Sequence, residues 1–198
     1  TPENKAAYQK VAFYRGLEVY TDGKYQDAYT LFKKSLTENK DAKITARATF
    51  WKGECEYSLD QFSEAVLTYK QFLNNTSASV TPEFKTVNYN LAYAYFKIKE
   101  YENAIPYFNT YIAQSKEDRN RLTDAYLRMA DCNYISSKYW PAMDAYNKAI
   151  ELKCVDADYA AFQKGMSYGF VNKNDKKIED LTKFVSTYKT SQYLDDAL

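Results

Sequence analysis

The sequence predicts an all-α fold of stacked helical hairpins, and three observations predict it. Helix breakers are scarce, with five Gly and four Pro in 198 residues against 21 Tyr and 11 Phe. That composition disfavours disorder and turn-rich β structure. A set of small and aromatic residues recurs at steps of 37, 39 and 38 residues. Within each copy, two helix-length segments flank a short polar turn, which makes them antiparallel neighbours.

The repeat is read from small residues. Gly16 is followed by Ala28 and Phe32, Gly53 by Ala65 and Tyr69, Ala92 by Ala104 and Phe108, and Ala130 by Ala142 and Tyr146. The offsets are twelve and sixteen residues each time. An aromatic stands three residues before each second Ala: Tyr25, Phe62, Tyr101 and Tyr139. A fifth, weaker copy starts at Gly165 and carries Lys177 where Ala belongs, then Ile178, Leu181, Phe184 and Tyr188. The copies span approximately 9–40, 46–80, 82–115, 122–153 and 158–189 of a single repeat domain, 1–198, with 190–198 opening a sixth.

The second helix of each copy is the clearest. Tyr25, Ala28, Tyr29, Phe32 and Leu36 share one helical face, as do Tyr101, Ala104, Ile105, Phe108 and Ile112. The turns between first and second helices read as Asp22-Gly23-Lys24, Leu59-Asp60-Gln61, Ser136-Ser137-Lys138 and Asn172 to Lys176. Thr1-Pro2-Glu3 and Thr81-Pro82-Glu83 read as helix starts, each with a Thr cap, Pro in the first turn and an acid at the positive end. Pro106 and Pro141 fall in the first turn or so of their helices. Asn74 to Val80 is the longest loop and contains glycan-acceptor patterns. Packing explains the small residues. Two helices approach to about 8–10 Å only where a side chain is small. Gly or Ala on the first helix and Ala on the second let the hairpin close, and a lone hairpin cannot bury its apolar stripe, so copies stack.

Several functions are disfavoured by composition. Twenty-seven basic and 26 acidic residues give a net charge of +1 with no basic stripe, which speaks against nucleic acid as a partner. No run of about 18 apolar residues suggests a membrane span, so direct membrane insertion is not expected. Histidine is absent, which removes the commonest general base and transition-metal ligand. No phosphate loop, nucleophile elbow or zinc-protease motif is present, so no catalytic residue, metal or cofactor is expected. Cys55 and Cys132 occupy equivalent places, two after the small residue, where Ala94 and Ser167 stand elsewhere. They read as small buried residues rather than redox or metal groups.

Leu91-Ala92, Tyr95, Tyr101, Ala104 and Phe108 resemble the tetratricopeptide repeat consensus, and the resemblance covers nearly the whole chain. Tyr188-Lys189-Thr190-Ser191-Gln192-Tyr193-Leu194-Asp195-Asp196-Ala197-Leu198 is similar to a repeat junction of the bacterial envelope branch. That branch includes the Tol–Pal coordinator and the β-barrel assembly lipoprotein, although Lys189 stands where Pro is usual. The resemblance implies a right-handed α-solenoid of about five hairpins plus the start of a sixth, with first helices lining a concave groove that binds extended or helical peptides. It implies a fragment of a longer bacterial protein in the periplasm or envelope, with the cytoplasm as the alternative compartment.

Three before, one after and four after the small residue, the first helices carry the candidate partner-binding groove. It comprises Phe13, Leu17, Tyr20, Phe50, Glu54, Tyr57, Tyr89, Tyr93, Phe96, Leu127, Asp131 and Tyr134, with Phe162, Met166 and Gly169 in the fifth copy. Clustered aromatics give contact area at low entropy cost. Rings at these spacings also pack between repeats, so both roles stay open. The family's carboxylate-gripping variant uses Lys and Asn on these helices, and only Asn90 fits it here. The expected function is a scaffold for a protein or peptide partner. The alternatives are a regulatory or targeting repeat region attached to a catalytic domain elsewhere in the parent chain, or a self-associating structural array.

The alignment predicts that Ala65→Leu or Ala104→Leu overpacks its hairpin by about 1–3 kcal/mol. Phe108→Ala should leave a cavity costing about 3–5 kcal/mol. Unchanged melting temperatures in thermal denaturation of these variants would refute the alignment.

Overall fold

A computed structural model describes residues 2–114 and 118–198, so the Thr1 cap lies outside the described residues. Among the described residues the chain forms eleven α-helices and no strand. It divides into two compact units, Thr1–Glu100 and Tyr101–Leu198. The division falls in the turn inside the third sequence copy.

The first unit holds α1 (Pro2–Thr21), α2 (Tyr25–Glu38), α3 (Ala42–Ser58), α4 (Phe62–Leu73) and α5 (Val87–Lys97). Each helix packs on the next in order. The first helices of copies one and two begin earlier than their repetition suggests, because residues before the repeat unit also have helix-forming side chains. The core here joins Phe13, Ala28 and Phe32 to Ile44, Ala48 and Cys55 of the following hairpin. The second unit holds α6 (Tyr101–Gln114), α7 (Arg119–Ile135), α8 (Tyr139–Glu151), α9 (Ala157–Phe170), α10 (Asn174–Thr187) and the single turn α11 (Leu194–Ala197). Its core gathers Leu127, Ala130, Ala142, Tyr146 and Ala160, and a satellite cluster of Phe162, Leu181 and Phe184 lies under α11.

One backbone feature recurs at the spacing of the small residues. Seven residues after each small residue stands one residue in the left-handed region: Gly23, Asp60, Lys99, Ser137 and Asn172. Each of these N–H groups reaches a carbonyl three residues back, and the next N–H reaches one five back, as in Gln61 to Glu56 at 2.8 Å. This reciprocal pair satisfies the carbonyls that a helix end leaves open. All five copies, including the weak fifth, therefore end their first helix in the same way.

Two expectations about helix starts need correction. Thr81-Pro82-Glu83 does not open a long helix; Pro82–Lys85 is a short 3₁₀ turn and α5 begins at Val87. The Thr81 hydroxyl donates to the Ala78 carbonyl instead of acting as a cap, and Glu83 turns inward. Pro106 is the sixth residue of α6, inside the helix rather than in its first turn. The best caps are ones the sequence reading passed over. Asp41 accepts a hydrogen bond from Ile44 N at 3.1 Å, and Asp118 accepts one from Arg121 N at 3.0 Å.

The packing of the small residues also differs in detail. A Cβ built on Gly16 would lie 2.7 Å from the Phe32 ring, on Gly53 2.9 Å from Tyr69, and on Gly165 2.7 Å from Leu181. The first-helix glycine thus makes room for the bulky side chain sixteen residues on. A second pair of buried positions recurs on the first helices, and Ala48 and Cys55 there join the core of the preceding hairpin. Ala48 and Cys55, Val87 and Ala94, Ala125 and Cys132, and Ala160 and Ser167 are all fully buried. The equivalent residues in the first copy are Val11, 67% exposed, and Glu18.

The backbone hydrogen bond from Ile44 and the charge of Lys10, 3.4 Å away, hold the Asp41 carboxyl below its ordinary value, the backbone bond being the larger cause. A lowered folded value means that the cap stabilises at pH values above the ordinary carboxyl value of 3.8 and loses this effect as pH falls through the folded value. Asp41→Ala should therefore cost about 1 kcal/mol at pH 7. The gap to wild type should close in urea melts run in strong acid.

Candidate functional site

The twelve residues assigned to a partner surface separate by burial according to their offset from the small residue. In the first unit, Phe13 and Phe50 are 0% and 3% exposed, and in the second Leu127 is 2% exposed. They do not line a surface. Phe13 points to Phe32 of its own hairpin at 6.0 Å between ring centres, and Phe50 lies 5.8 Å from Tyr69 and 5.5 Å from Phe72. Leu127 belongs to the Tyr146 core. The position three before the small residue faces the second helix of the same hairpin, so a bulky side chain there fills the hairpin core. Tyr89, at the same offset, is partly exposed.

One residue after the small residue, Leu17, Glu54 and Tyr93 are partly exposed, whereas Asp131 is buried. The two carboxylates have parallel internal partners. Glu54 accepts a short hydrogen bond from the Tyr69 hydroxyl and another from Asn90 Nδ2. Asp131 accepts from Tyr146 at 2.8 Å and Tyr159 at 3.0 Å, both on Oδ1, while Arg128 donates to Oδ2 at 2.8 Å. Burial raises the Asp131 carboxyl, and the tyrosines and Arg128 partly offset this. Burial, reinforced by the adjacent carboxylates, pushes the Tyr69 and Tyr146 phenols far above their ordinary range. Asp131 is thus an interior anchor that ties α7 to α8 and α9, not a groove residue, because its burial demands partners for both oxygens.

The pairing follows a rule visible within this chain. Where the position after the small residue is acidic, as in Glu54 and Asp131, the side chain fifteen residues later is Tyr: Tyr69 and Tyr146. Where it is apolar, as in Leu17, Tyr93 and Met166, it is Phe32, Phe108 or Leu181. The hydroxyl appears only where there is a carboxylate for it.

Four residues after the small residue, Tyr20, Tyr57, Phe96 and Tyr134 are partly exposed. Three of these rings lean on the aromatic that opens the second helix: Tyr20 on Tyr25 at 5.2 Å, Tyr57 on Phe62 at 5.1 Å and Tyr134 on Tyr139 at 5.7 Å. They close the turn end of each hairpin and still present a face outward. On α5, Tyr89 and Tyr93 lie 4.9 Å apart and Tyr93 lies 6.3 Å from Phe96, a partly exposed aromatic edge.

Polar joints that sequence reasoning missed hold successive copies together. Gln9 is fully buried; its Oε1 accepts from Lys40 N and Asp41 N at 2.8 Å each, and its Nε2 donates to Thr45 Oγ1 at 2.9 Å. Glu83 Oε1 accepts from Arg47 Nε at 2.8 Å and Trp51 Nε1 at 2.9 Å, and the Arg47 guanidinium lies 4.9 Å from the centre of the Phe13 ring. No local spacing signals either joint, since each partner is more than 30 residues away.

Little here points to covalent chemistry. Burial pushes the Cys55 and Cys132 thiols up to about 12, which leaves them neutral and poorly nucleophilic near pH 7. Among the described residues no group of three or more Cys, Asp or Glu is placed to hold a metal ion. Among them, too, no helix is long and apolar enough to cross a membrane.

Models of the tetratricopeptide repeat match residues 15–80 and 86–118, together half of the chain. No curated protein matches the sequence. Solved structures do. YrrB, described as a tetratricopeptide repeat protein with an unusual peptide-binding site, is 16% identical with a TM-score of 0.76, over 94% of this chain and 89% of that one. MamA from residue 41 onward, from Desulfovibrio magneticus RS-1, is 16% identical with a TM-score of 0.71, over 93% and 97%. BtubC from P. vanneervenii is 11% identical with a TM-score of 0.63, over 97% and 94%. At these identities the likeness is one of fold.

Tyr146→Phe should lower the unfolding free energy by about 1.5–3 kcal/mol, since it leaves a buried carboxylate one donor short. Adding Asp131→Leu, which copies the Leu17 and Phe32 pair, should cost less than the two single changes summed. A double-mutant cycle in denaturant should give a coupling of about 1 kcal/mol or more; strict additivity would disprove the pairing rule.

Proposed function

The chain is a tetratricopeptide repeat protein, and from that premise we propose that it is a protein–protein interaction scaffold holding a partner peptide or domain on its first helices. The observation that carries this reading is the set of rings kept partly exposed at one offset. In the first unit these are Tyr20, Tyr57 and Phe96, with Leu17, Tyr89 and Tyr93 beside them, and in the second Tyr134. All four rings at the later offset have an intramolecular ring contact. They are therefore held in place before a partner arrives, which lowers the entropy cost of binding.

The contact list is narrower than the sequence suggests. Phe13, Phe50, Leu127 and Asp131 are removed from it by burial. Glu54, hydrogen-bonded to Tyr69 and Asn90, serves as a positioned acceptor at the edge of the aromatic set. That YrrB, a chain of similar fold, has a peptide-binding site supports peptide capture as the mode. The charge balance of +1 supports a protein rather than a nucleic acid as the partner. For the compartment we favour the envelope of a Gram-negative bacterium, on the resemblance of the Tyr188 to Leu198 junction. In the fold that junction docks: Ser191 Oγ donates to Asp158 at 2.7 Å, and Tyr193 stacks on Phe162 at 5.2 Å.

The test compares captured partners rather than listing them. Wild-type protein and the triple variant Tyr57→Ala, Tyr93→Ala, Tyr134→Ala would be crosslinked in the source cell, with circular dichroism as a folding control. Loss of a specific envelope protein from the captured set is expected. An unchanged set from a folded triple variant would exclude this surface.

A further inference from the structure

The fifth hairpin departs from its siblings at three packing positions at once, all at its turn end. Where Tyr20, Tyr57, Phe96 and Tyr134 stand, it has Gly169; where an aromatic opens the second helix, it has Asn174; where Ala packs, it has Lys177. We propose that this turn end, together with that of the neighbouring α7–α8 hairpin, is a docking notch for an acidic peptide segment carrying a bulky apolar side chain. The inference rests on the scaffold reading and adds a second surface to it.

The three departures are coupled in space. A Cβ on Gly169 would lie 3.3 Å from Lys177 Cδ and 3.8 Å from its Nζ. The lysine side chain therefore lies across the place that a ring takes in the other copies, and a side chain at 169 would crowd it. Local rules that fail together mark functional rather than structural selection. Replacing Ala, a good helix former, with Lys at a packing position, and a ring with Gly, brings no evident packing gain.

An apolar surface begins at the residue after Gly169. Phe170 is 54% exposed, yet it stacks on Tyr139 at 4.7 Å with 8° between planes and meets Tyr134 edge-on at 5.8 Å. Trp140, also 54% exposed, meets the Tyr168 ring at 6.4 Å, and Ile135 is 51% exposed. Exposed rings grouped in this way are uncommon on a surface with no partner.

Charge selects the occupant. Lys138 is paired with Glu102 at 2.8 Å and Lys176 with Glu179 at 2.7 Å. Among the described residues Lys173 and Lys177 form no ion pair, and Asp175 is the one acid between them. The surplus is positive on a turn end whose α9 also carries exposed rings, and it complements carboxylates next to an apolar anchor.

Random dodecapeptides displayed on phage would be selected on the folded protein. Enriched sequences would then be titrated as fluorescein conjugates by anisotropy. Peptides with Asp or Glu beside Trp, Phe or Leu are expected to emerge. Their affinity should fall about tenfold or more with Lys177→Glu. The same loss is expected with the triple change Gly169→Tyr, Asn174→Tyr and Lys177→Ala, which restores the pattern of the other hairpins and so keeps the fold. Tyr57→Ala, in the other unit, should leave the affinity unchanged. Peptides lost with Tyr57→Ala but not with Lys177→Glu would overturn the notch and leave the scaffold reading standing. No enrichment, neutral peptides, or a dimer in sedimentation that Phe170→Ser disperses would each overturn the proposal.

Discussion

The contact on which this chain depends is that between a missing side chain and a bulky one. Gly16, Gly53 and Gly165 have no room for a Cβ because Phe32, Tyr69 and Leu181 press against their backbones. Interiors packed at crystal density leave no slack at such a contact. Once it is fixed, the rest of each hairpin follows. The residue three before the small one must face inward, the residue after it lies beside the pressing side chain, and the turn closes seven residues on in a left-handed residue. The Glu54 with Tyr69 and Asp131 with Tyr146 pairs are the polar version of that adjacency.

How much of this was legible in the sequence depended on range. The repeat register was legible because its signals are volumes at fixed short offsets, and the left-handed residues follow it through all five copies, including the fifth with Lys177. The direction of each apolar stripe was not. A first helix has two buried faces, one toward its own second helix and one toward the neighbouring copy, and periodicity alone gives both the same pattern. Phe13, Phe50 and Leu127 therefore read as groove residues although they fill hairpin cores. Asp131 was misplaced because a carboxylate reads as surface until its donors are known. The Tyr69 and Tyr146 signal was present in the sequence, since both rings with a hydroxyl at that offset follow an acid fifteen residues back.

The joints between copies show the limit of local reading most clearly. Small residues such as Ala48 and Cys55 let neighbouring copies approach closely, and the burial of these positions repeats. The polar fastenings laid over it do not repeat. One joint uses the Gln9 amide and another the Arg47 and Glu83 pair, backed by Trp51. Each solves the same problem of satisfying buried polar groups with different chemistry.

That choice of chemistry gives the joints different tolerances. The Gln9 fastening is an uncharged amide, so neither protonation nor counterions weaken it. The fastening at Glu83 is an ion pair with Arg47, so it draws its strength from both charges. The seam between the first two hairpins is thus held by a bond without charge, and the seam after the second by one that depends on it.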